Sequence, residues 1–329
     1  MSAVKTPSPN SSFASLETID FSRLVDKDPA EQLKLLALSV KDGFFYLDLQ
    51  GPRIKKILED KENVMRMMEW YFALPLEEKM KDDRHTHTHG YKPPGTFTGF
   101  RKGSRDCYET LKVAYAEMVA HSEMLPEAVK ERMQLFESFI GLSHFVNKTL
   151  LTSLSDVLSL RGPSRFEEHH RNDKPSNTTL VLLHYPQQSL DEGMGHNKHT
   201  DIGSLTLLFT KQWGLQLQQP GSDDWSFVAP REGHAIINVG DSLRFLSGKK
   251  FNSCLHRVVP VAEDEDRYSI AYFLRPENAV HLEDSEGRRV KAEEWHDQKY
   301  VMFGETHEKQ SQSSMLTGGM ESQLVSIQV

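Results

Sequence analysis

Apolar and polar residues follow two different periods along this chain. Between about residues 29 and 157, apolar residues recur every three or four positions, the spacing of one face of a helix. From Thr178 onward they form short runs separated by turn residues, which is typical of β-strands. The pattern therefore predicts a helical first part and a β-rich second part.

The first part contains three predicted helices. Asp28 and Pro29 supply an N-cap and a first-turn proline for the first helix, which ends at Gly43. Its predicted apolar face consists of Leu33, Leu36 and Val40. The second helix ends before Pro75 and has apolar positions at Ile54, Ile57, Leu58, Val64 and Met68. The third and longest has them at Leu135, Phe139, Leu142, Val146, Leu150, Leu154 and Val157. A continuous apolar face of this kind indicates core packing.

Strands are predicted before, between and after these helices. Two short ones lie at 19–21 and 44–49. Eight more are predicted at 180–185, 204–209, 215–218, 226–228, 235–239, 242–246, 256–259 and 269–274. Short strands separated by turn residues favour a roll of two sheets over parallel βαβ units.

Composition narrows the class of partner. A net charge of −8 and a pI near 6.0 argue against nucleic acid or an anionic membrane, because both require a basic surface. A small-molecule substrate fits better. The chain has two cysteines, Cys107 and Cys254, a polar start, and no apolar run near the ~20 residues that cross a bilayer. These features predict a reducing, cytoplasmic setting.

His199 and Asp201 are candidate metal ligands. In an extended strand, residues two apart project from the same face, so an imidazole and a carboxylate can meet one ion. His256 follows far enough downstream to reach the ion from an opposing strand. Two imidazoles and one carboxylate form the facial triad of non-haem Fe(II) oxygenases, which leaves coordination positions open for chemistry.

Arg267 and Ser269 repeat the same two-residue spacing one strand later. They offer a guanidinium fork and a hydroxyl on one face, a suitable clamp for a carboxylate. A dicarboxylate bound there could chelate the metal with its other end.

Other residues with metal-binding side chains have simpler explanations. His85, His87 and His89 alternate ahead of Tyr91, where a solvated loop is favoured over a Zn or Ni site. His196 is expected in a loop or behind the ligands. Cys254 is expected to be a small buried hydrophobe.

The motifs, in this order, resemble the Fe(II)/2-oxoglutarate-dependent dioxygenase superfamily, in the branch that includes isopenicillin N synthase. The resemblance runs from Ile19-Asp20-Phe21 through Gly43-Phe44-Phe45-Tyr46 and Phe72-Ala73-Leu74-Pro75 to Trp295. It is densest at His199-Thr200-Asp201, Gly203-Ser204-Leu205-Thr206-Leu207-Leu208, Trp213-Gly214-Leu215-Gln216, Asn238-Val239-Gly240-Asp241, His256-Arg257-Val258 and Arg267-Tyr268-Ser269, with Tyr185-Pro186 upstream.

The resemblance implies a mainly β fold with α-helices, a double-stranded β-helix (jelly roll) core flanked by N-terminal helices. Residues 17–125 would form the N-terminal non-haem dioxygenase region, and 126–304 a helix with the jelly-roll catalytic domain. Residues 1–16 are predicted to be disordered, and 305–329 to form a mobile tail or a lid.

The resemblance also implies roles for the candidate residues. His199, Asp201 and His256 would bind Fe(II). Arg267, Ser269 and Tyr185 would hold the distal carboxylate of 2-oxoglutarate. The enzyme would use O2, with ascorbate as a candidate reductant, to oxidise an unactivated C–H bond of a small molecule in secondary metabolism. Hydroxylation is the default outcome, and desaturation and ring rearrangement stay open.

One departure from the family pattern keeps two alternatives open. Related oxygenases often have Asn two residues before the Tyr-Pro, where this chain has Leu183. The first alternative is an oxidase like isopenicillin N synthase that uses no 2-oxoglutarate and binds its substrate's carboxylate with the Arg-Ser pair. The second is a non-catalytic binding protein on the same fold, which would normally have lost a metal ligand.

Substrate contacts are expected where the N-terminal region covers the barrel mouth. The candidates are Tyr91, Arg101, Arg105, Tyr108 and Lys112 for polar contacts, with Phe209 and Phe273 as apolar walls. A contribution from either arginine predicts a substrate with an acid or a polar oxygen.

Overall fold

The computed structural model describes residues 6–8, 11–99, 101–186, 196–218, 222–259, 261 and 266–321. The strands are β1 (Thr18–Asp20), β2 (Phe44–Asp48), β3 (Gly90–Lys92), β4 (Glu109–Ala114), β5 (Thr179–Tyr185), β6 (His196–His199), β7 (Leu205–Thr210), β8 (Leu215–Gln218), β9 (Trp225–Phe227), β10 (His234–Val239), β11 (His256–Val258), β12 (Arg267–Leu274), β13 (His281–Glu283) and β14 (Arg289–Lys291). The helices are α1 (Phe21–Val25), α2 (Pro29–Lys41), α3 (Lys56–Phe72), α4 (Leu76–Met80), α5 (Tyr115–Val119), α6 (Glu127–Lys130), α7 (Met133–Val157), α8 (Asp241–Leu246), α9 (Ala292–Gly304) and α10 (His307–Ser311). Two short 3-10 helices cover Gly162–Ser164 and Phe166–His169.

Two sheets form the β part of the described residues. The larger has eight strands in the order β1-β2-β10-β7-β12-β5-β4-β3, and the smaller has four in the order β6-β11-β8-β9. The β1–β2 pair is parallel, and the other pairs in these sheets are antiparallel. This arrangement confirms the predicted mainly β fold with a jelly-roll core.

The larger sheet is buried on both faces. Leu180 and Leu182 of β5 belong to a core shared with the helices. Val181 and Leu183, on the opposite face, belong to a second core shared with the smaller sheet. Because successive side chains of a strand point to opposite faces, β5 contributes to both cores with every residue buried.

Helix α7 is the main support of the helix-facing side. It packs against α2 and α3 on one side and against β7 and β12 on the other. Phe139, Val146, Leu150 and Leu154 are fully buried, which confirms the predicted core face. Each such side chain contributes roughly 1.5–3 kcal/mol through burial. This face therefore holds the helices onto the sheet that carries Arg267.

Two local predictions were wrong, and two strands were missed. The buried face of α2 contains Leu35 and Leu38, whereas Leu33 and Val40 are about half exposed. The helix has apolar residues on two faces, and packing against neighbouring elements buries only one of them. Residues 242–246 lie in helix α8, because short apolar runs do not distinguish strand from helix. The missed strands are β3 and β4, which follow the first two predicted helices and lie at the edge of the large sheet.

Both ends of the described chain contact the body. Phe13 lies in the segment predicted as disordered and forms a β-bridge with Phe227. The amide of the next residue, Ala14, donates to the Phe227 carbonyl at 2.8 Å. At the other end, Leu316 is buried and its carbonyl accepts from the Thr200 amide at 3.0 Å. Residues 305–321 therefore pack close to the candidate metal ligands, and a lid role stays a prediction.

No helix among the described residues combines the length and the apolar character that crossing a bilayer requires.

Candidate active site

The three candidate metal ligands meet at the smaller sheet, which contains His199 and His256, and Asp201 lies two residues beyond the end of β6. His256 in β11 lies directly opposite His199 in β6, and their ring centroids are 4.3 Å apart. The nearer carboxylate oxygen of Asp201, Oδ1, is 3.6 Å from Nε2 of each histidine. All three side chains are 5–7% exposed. The structure thus brings together the three residues that the sequence selected.

Backbone carbonyls fix the orientation of both imidazoles. Nδ1 of His199 donates to the Asn197 carbonyl at 2.7 Å, and Nδ1 of His256 donates to the Cys254 carbonyl at 3.1 Å. A proton on Nδ1 leaves the lone pair on Nε2, the nitrogen that lies near Asp201. This is the tautomer a metal ligand requires.

The far oxygen of Asp201 is occupied by two donors. Oδ2 accepts from Thr206 Oγ1 at 2.5 Å and from Asn238 Nδ2 at 2.6 Å. Burial favours the neutral acid, but the imidazoles of His256 and His199 hold the pKa of this carboxyl well below its usual range. Asp201 is therefore a carboxylate whose Oδ1 is directed at the two imidazoles.

The donor set matches Fe(II). Two imidazole nitrogens and one carboxylate oxygen, with ligand atoms within 4.8 Å of one another, form the facial arrangement of a non-haem iron site. It is also the one such cluster found among the residues that the structure describes. Cys254 is buried, which raises the pKa of its thiol to about 12, so it stays a neutral small hydrophobe as expected.

A cavity of about 70 Å³ joins the triad to Arg267 and Ser269. Arg267 lies opposite Tyr185 across the β5–β12 pair, with its guanidinium carbon 5.0 Å from the Tyr185 ring centroid. Nε of Arg267 donates to the Trp213 carbonyl at 3.0 Å. Its Nη1 and the Ser269 hydroxyl are buried without a hydrogen-bond partner in the described residues. A buried cation and hydroxyl left unpaired are costly unless a ligand supplies acceptors, and a carboxylate supplies two.

Family models and known relatives agree with this geometry. The model of the 2OG-Fe(II) oxygenase superfamily matches residues 176–276, and one for the N-terminal part of the non-haem dioxygenase in morphine synthesis matches residues 16–123. The chain is 42% identical to the 2-oxoglutarate-dependent dioxygenase FG08081 of Gibberella zeae over 314 residues, which cover 94% of each protein. The chain belongs to the 2OG-Fe(II) oxygenase superfamily. It is a 2-oxoglutarate-dependent dioxygenase that uses Fe(II), 2-oxoglutarate and O2.

Two further relatives of this dioxygenase are fungal. Oxidoreductase vrtI of Penicillium aethiopicum is 47% identical over 94% of this chain and 75% of its own. The 2-oxoglutarate-dependent dioxygenase iboH of Amanita muscaria is 59% identical over 60% of this chain and 98% of its own. Among solved structures, the dioxygenase for auxin oxidation in rice superposes with a TM-score of 0.66 at 21% identity, covering 89% of this chain and 97% of that one. This last likeness supports the fold.

The dioxygenase has a second cavity, of about 70 Å³, that His199 and Asp201 also line. Three of the residues predicted to contact substrate line it, namely Tyr108, Lys112 and Phe273. Leu183 lines both cavities, so the position where relatives often carry Asn offers only an apolar surface here. The remaining walls are Lys92, Phe97, Thr110, Val181, Thr200, Ile202, Arg275, Tyr300 and Phe303.

Four other predicted contacts lie away from this cavity. Phe209 faces the helices and packs against Phe139, because it lies on the opposite face of the sheet. The Tyr91 hydroxyl donates to Glu109 in a buried network. Arg101 and Arg105 are exposed, and Arg105 lines a separate surface cavity. The structure therefore does not bring these four residues to the candidate metal ligands.

The three alternating histidines at 85–89 have different surroundings. His85 is exposed, and His89 contacts Glu117 at 3.4 Å. His87 stacks on Tyr300 with ring centroids 4.7 Å apart, so it supports a wall of the second cavity. The side chain of His196 lies outside the described residues.

Sequence reasoning missed several residues of the site. Arg275 carries a detectable signal, because it continues the alternation 267, 269, 271, 273 into the same face. Thr206 and Asn238 stood in quoted motifs without an assigned role. Tyr300, on α9, carried no local signal because α9 reaches the cavity only through the tertiary fold.

A buried ion pair fixes the turn between the candidate ligands. Lys299 and Asp241, both fully buried, are 2.6 Å apart. Nζ of Lys299 also donates to Thr200 Oγ1 at 2.7 Å, and Thr200 stands between His199 and Asp201. Helices α8 and α9 are thereby tied to the backbone that presents two of the three residues.

Proposed function

We propose that His199, Asp201 and His256 bind the Fe(II) of this dioxygenase. The observation that supports this assignment is the pairing of every non-ligand atom: both Nδ1 atoms bond carbonyls and Asp201 Oδ2 bonds two donors. The atoms that face one another are Nε2 of His199, Nε2 of His256 and Oδ1 of Asp201. Bound Fe(II) would activate O2, so that one oxygen atom enters the succinate formed from 2-oxoglutarate with loss of CO2 and the other oxidises the substrate.

We further propose that Arg267, Ser269 and Tyr185 bind the distal carboxylate of 2-oxoglutarate. The single observation that carries this step is the pair of partnerless donors, Arg267 Nη1 and Ser269 Oγ, in the cavity that also contains the candidate metal ligands. Burial raises the pKa of Tyr185 to about 12, so its hydroxyl is protonated and can donate as well. These groups would orient 2-oxoglutarate with its 2-oxo acid end toward the triad.

The substrate proposed is a small molecule bound in the second cavity, with a C–H bond presented to the metal. Hydroxylation is the proposed outcome, within secondary metabolism. Support comes from the apolar side chains that line this cavity, Phe97, Ile202 and Phe303. Structural neighbours bind small molecules too: a full-length Neurospora crassa protein was solved with alpha-KG and thymine, and JOX2 with 2OG, Fe and JA.

Anaerobic titration of the Fe(II) protein with 2-oxoglutarate tests the co-substrate site. Chelation of the 2-oxo acid produces a metal-to-ligand charge-transfer band, which reports its dissociation constant. Arg267→Ala should weaken 2-oxoglutarate binding roughly 10- to 100-fold, the loss expected for charge-assisted hydrogen bonds, while Fe(II) still binds. Arg53→Ala, which removes an exposed arginine paired with Asp26, is the matched control. An unchanged constant in Arg267→Ala would contradict the assignment and favour the oxidase alternative.

A further inference from the structure

The second cavity contains more buried positive charge than the described protein neutralises. Lys112 is 4% exposed and Arg275 is 4% exposed. Neither forms an ion pair with any carboxylate in the part of the chain that the structure describes. Lys92, the third cation of the wall, differs because it bonds directly to Asp106.

The contacts of Lys112 and Arg275 are almost all neutral. Nζ of Lys112 donates to the His87 carbonyl at 3.0 Å, and Nη1 of Arg275 donates to the Asn177 carbonyl. Nε of Arg275 is buried with no hydrogen-bond partner in the described residues. Asp106 attracts Lys112 and Asp201 attracts Arg275 at longer range, but Asp106 is already paired with Lys92 and the charge of Asp201 belongs to the candidate metal site.

Tyr300 lies beside the two cations. Nζ of Lys112 is 5.1 Å from the Tyr300 ring centroid, and the charges of both Lys112 and Arg275 act on the Tyr300 hydroxyl. Burial alone would raise the pKa of Tyr300, yet the two cations lower it. Even an ionised Tyr300 would balance one of two positive charges, so at least one buried cation lacks a counter-charge.

Burying an unpaired cation is strongly unfavourable, and proteins normally supply a partner carboxylate. A ligand that brings its own anion removes this cost on binding. We infer that Lys112, Arg275 and Tyr300 form the anchor for a carboxylate of the substrate, which makes the substrate class a small organic acid. This inference rests on the proposed function and specifies the occupant of its second cavity.

Strand geometry places the anchor at a useful distance from the metal. Lys112 lies opposite Val181 in the β4–β5 pair, and Thr110 lies opposite Leu183. Leu183 is where the two cavities meet, so the anchor is two residues, about 7 Å, farther along the strands. Apolar side chains, Val181 and Phe273 among them, line the interval. The acid would be held at one end while an aliphatic carbon lies beside the metal ligands.

The test uses the full chain loaded with Fe(II) and saturating 2-oxoglutarate under anaerobic conditions. The probes are the proteinogenic amino acids and linear mono- and dicarboxylic acids of three to six carbon atoms, each compared with its primary amide. Binding is followed as a perturbation of the charge-transfer band. At least one acid should bind, and its amide should bind at least about tenfold more weakly, because the amide carries no charge.

Substitutions of Lys112 and Arg275 test whether these two residues bind the acid. Lys112→Met and Arg275→Gln should each weaken binding of that acid by about tenfold or more, whereas Lys112→Arg should retain much of it. All should keep the wild-type dissociation constant for 2-oxoglutarate. Lys81→Met, which removes a lysine from an exposed surface pair with Glu78, is the control.

The possible outcomes distinguish a failure of the proposed anchor from a failure of the proposed function. A normal charge-transfer band with no acid bound, with acid and amide bound equally, or with an unaffected Lys112→Met variant would overturn the anchor while leaving the proposed function intact. Failure of the band to form in wild type would refute the proposed function, and the inference with it. The comparison of acid with amide in wild type needs no variant, so a variant that misfolds does not remove the test.

Discussion

Removing the amide of Asn238 should weaken Fe(II) binding although Asn238 is not a proposed ligand. Asn238 Nδ2 donates to Asp201 Oδ2 at 2.6 Å, and Thr206 Oγ1 donates to the same oxygen at 2.5 Å. Together they hold the carboxylate so that Oδ1 faces the two imidazoles. Asn238→Ala removes one of these two donors and leaves a small polar gap beside a buried carboxylate.

The magnitude follows from the kind of bond that is lost. A hydrogen bond to a charged group contributes about 1.5–3 kcal/mol, which corresponds to a factor of about 10 to 150 in a binding constant at 1.36 kcal/mol per decade. Loss of a group that orients a metal ligand costs about 10- to 100-fold in affinity. We therefore expect the Fe(II) dissociation constant to rise by about 10- to 100-fold.

The assay is anaerobic competition for Fe(II) between the protein and a chromophoric chelator. Asn252→Ala is the matched control, because the amide of Asn252 donates to the Lys41 carbonyl and not to a candidate metal ligand. Thermal unfolding of the iron-free variants checks that the fold is kept. An Asn238→Ala protein that is folded and binds Fe(II) within twofold of wild type would refute the argument that Oδ2 must be held.

Three further results are expected. Lys299→Met leaves the fully buried Asp241 carboxylate without its cation, so the free energy of unfolding should fall by about 3–5 kcal/mol; a urea midpoint that moves no more than that of Lys81→Met would contradict this. Asp241→Leu added to Lys299→Met removes the unpaired charge and should recover part of the loss, and a double variant less stable than Lys299→Met would count against a charge-based penalty. Burial lowers the pKa of His170 to about 3, so between pH 6.5 and 3 the unfolded chain binds a proton that the folded protein does not. The free energy of unfolding should therefore fall by about 1.4 kcal/mol per pH unit as the pH falls through that window. Urea midpoints at pH 7 and pH 5 should differ less in His170→Gln than in wild type, and an equal difference would contradict this expectation.

The sequence itself identified the candidate metal ligands and the candidate co-substrate clamp. Residues two apart in a strand share a face whatever the surrounding fold, so Arg267 and Ser269 of β12 could be paired from spacing alone. The same spacing selected His199 and Asp201, although β6 ends at His199 and Asp201 follows it outside the strand. The long core face of α7 was readable for a similar reason, since its period is local. Even Arg275 could have been found by extending the alternation of β12.

Only the tertiary structure decided which residues oppose these motifs. Lys112 reaches the second cavity because β4, a strand that the sequence pattern did not predict, pairs with β5. Tyr300 reaches it from α9, more than a hundred residues away from Lys112. Phe209 is apolar and close to the ligand motif in sequence, yet it faces the helices, because strand register fixes which face each residue takes. Spacing along the chain determines which side chains share one face of an element, whereas contacts between elements depend on register and packing, and those are properties of the folded whole.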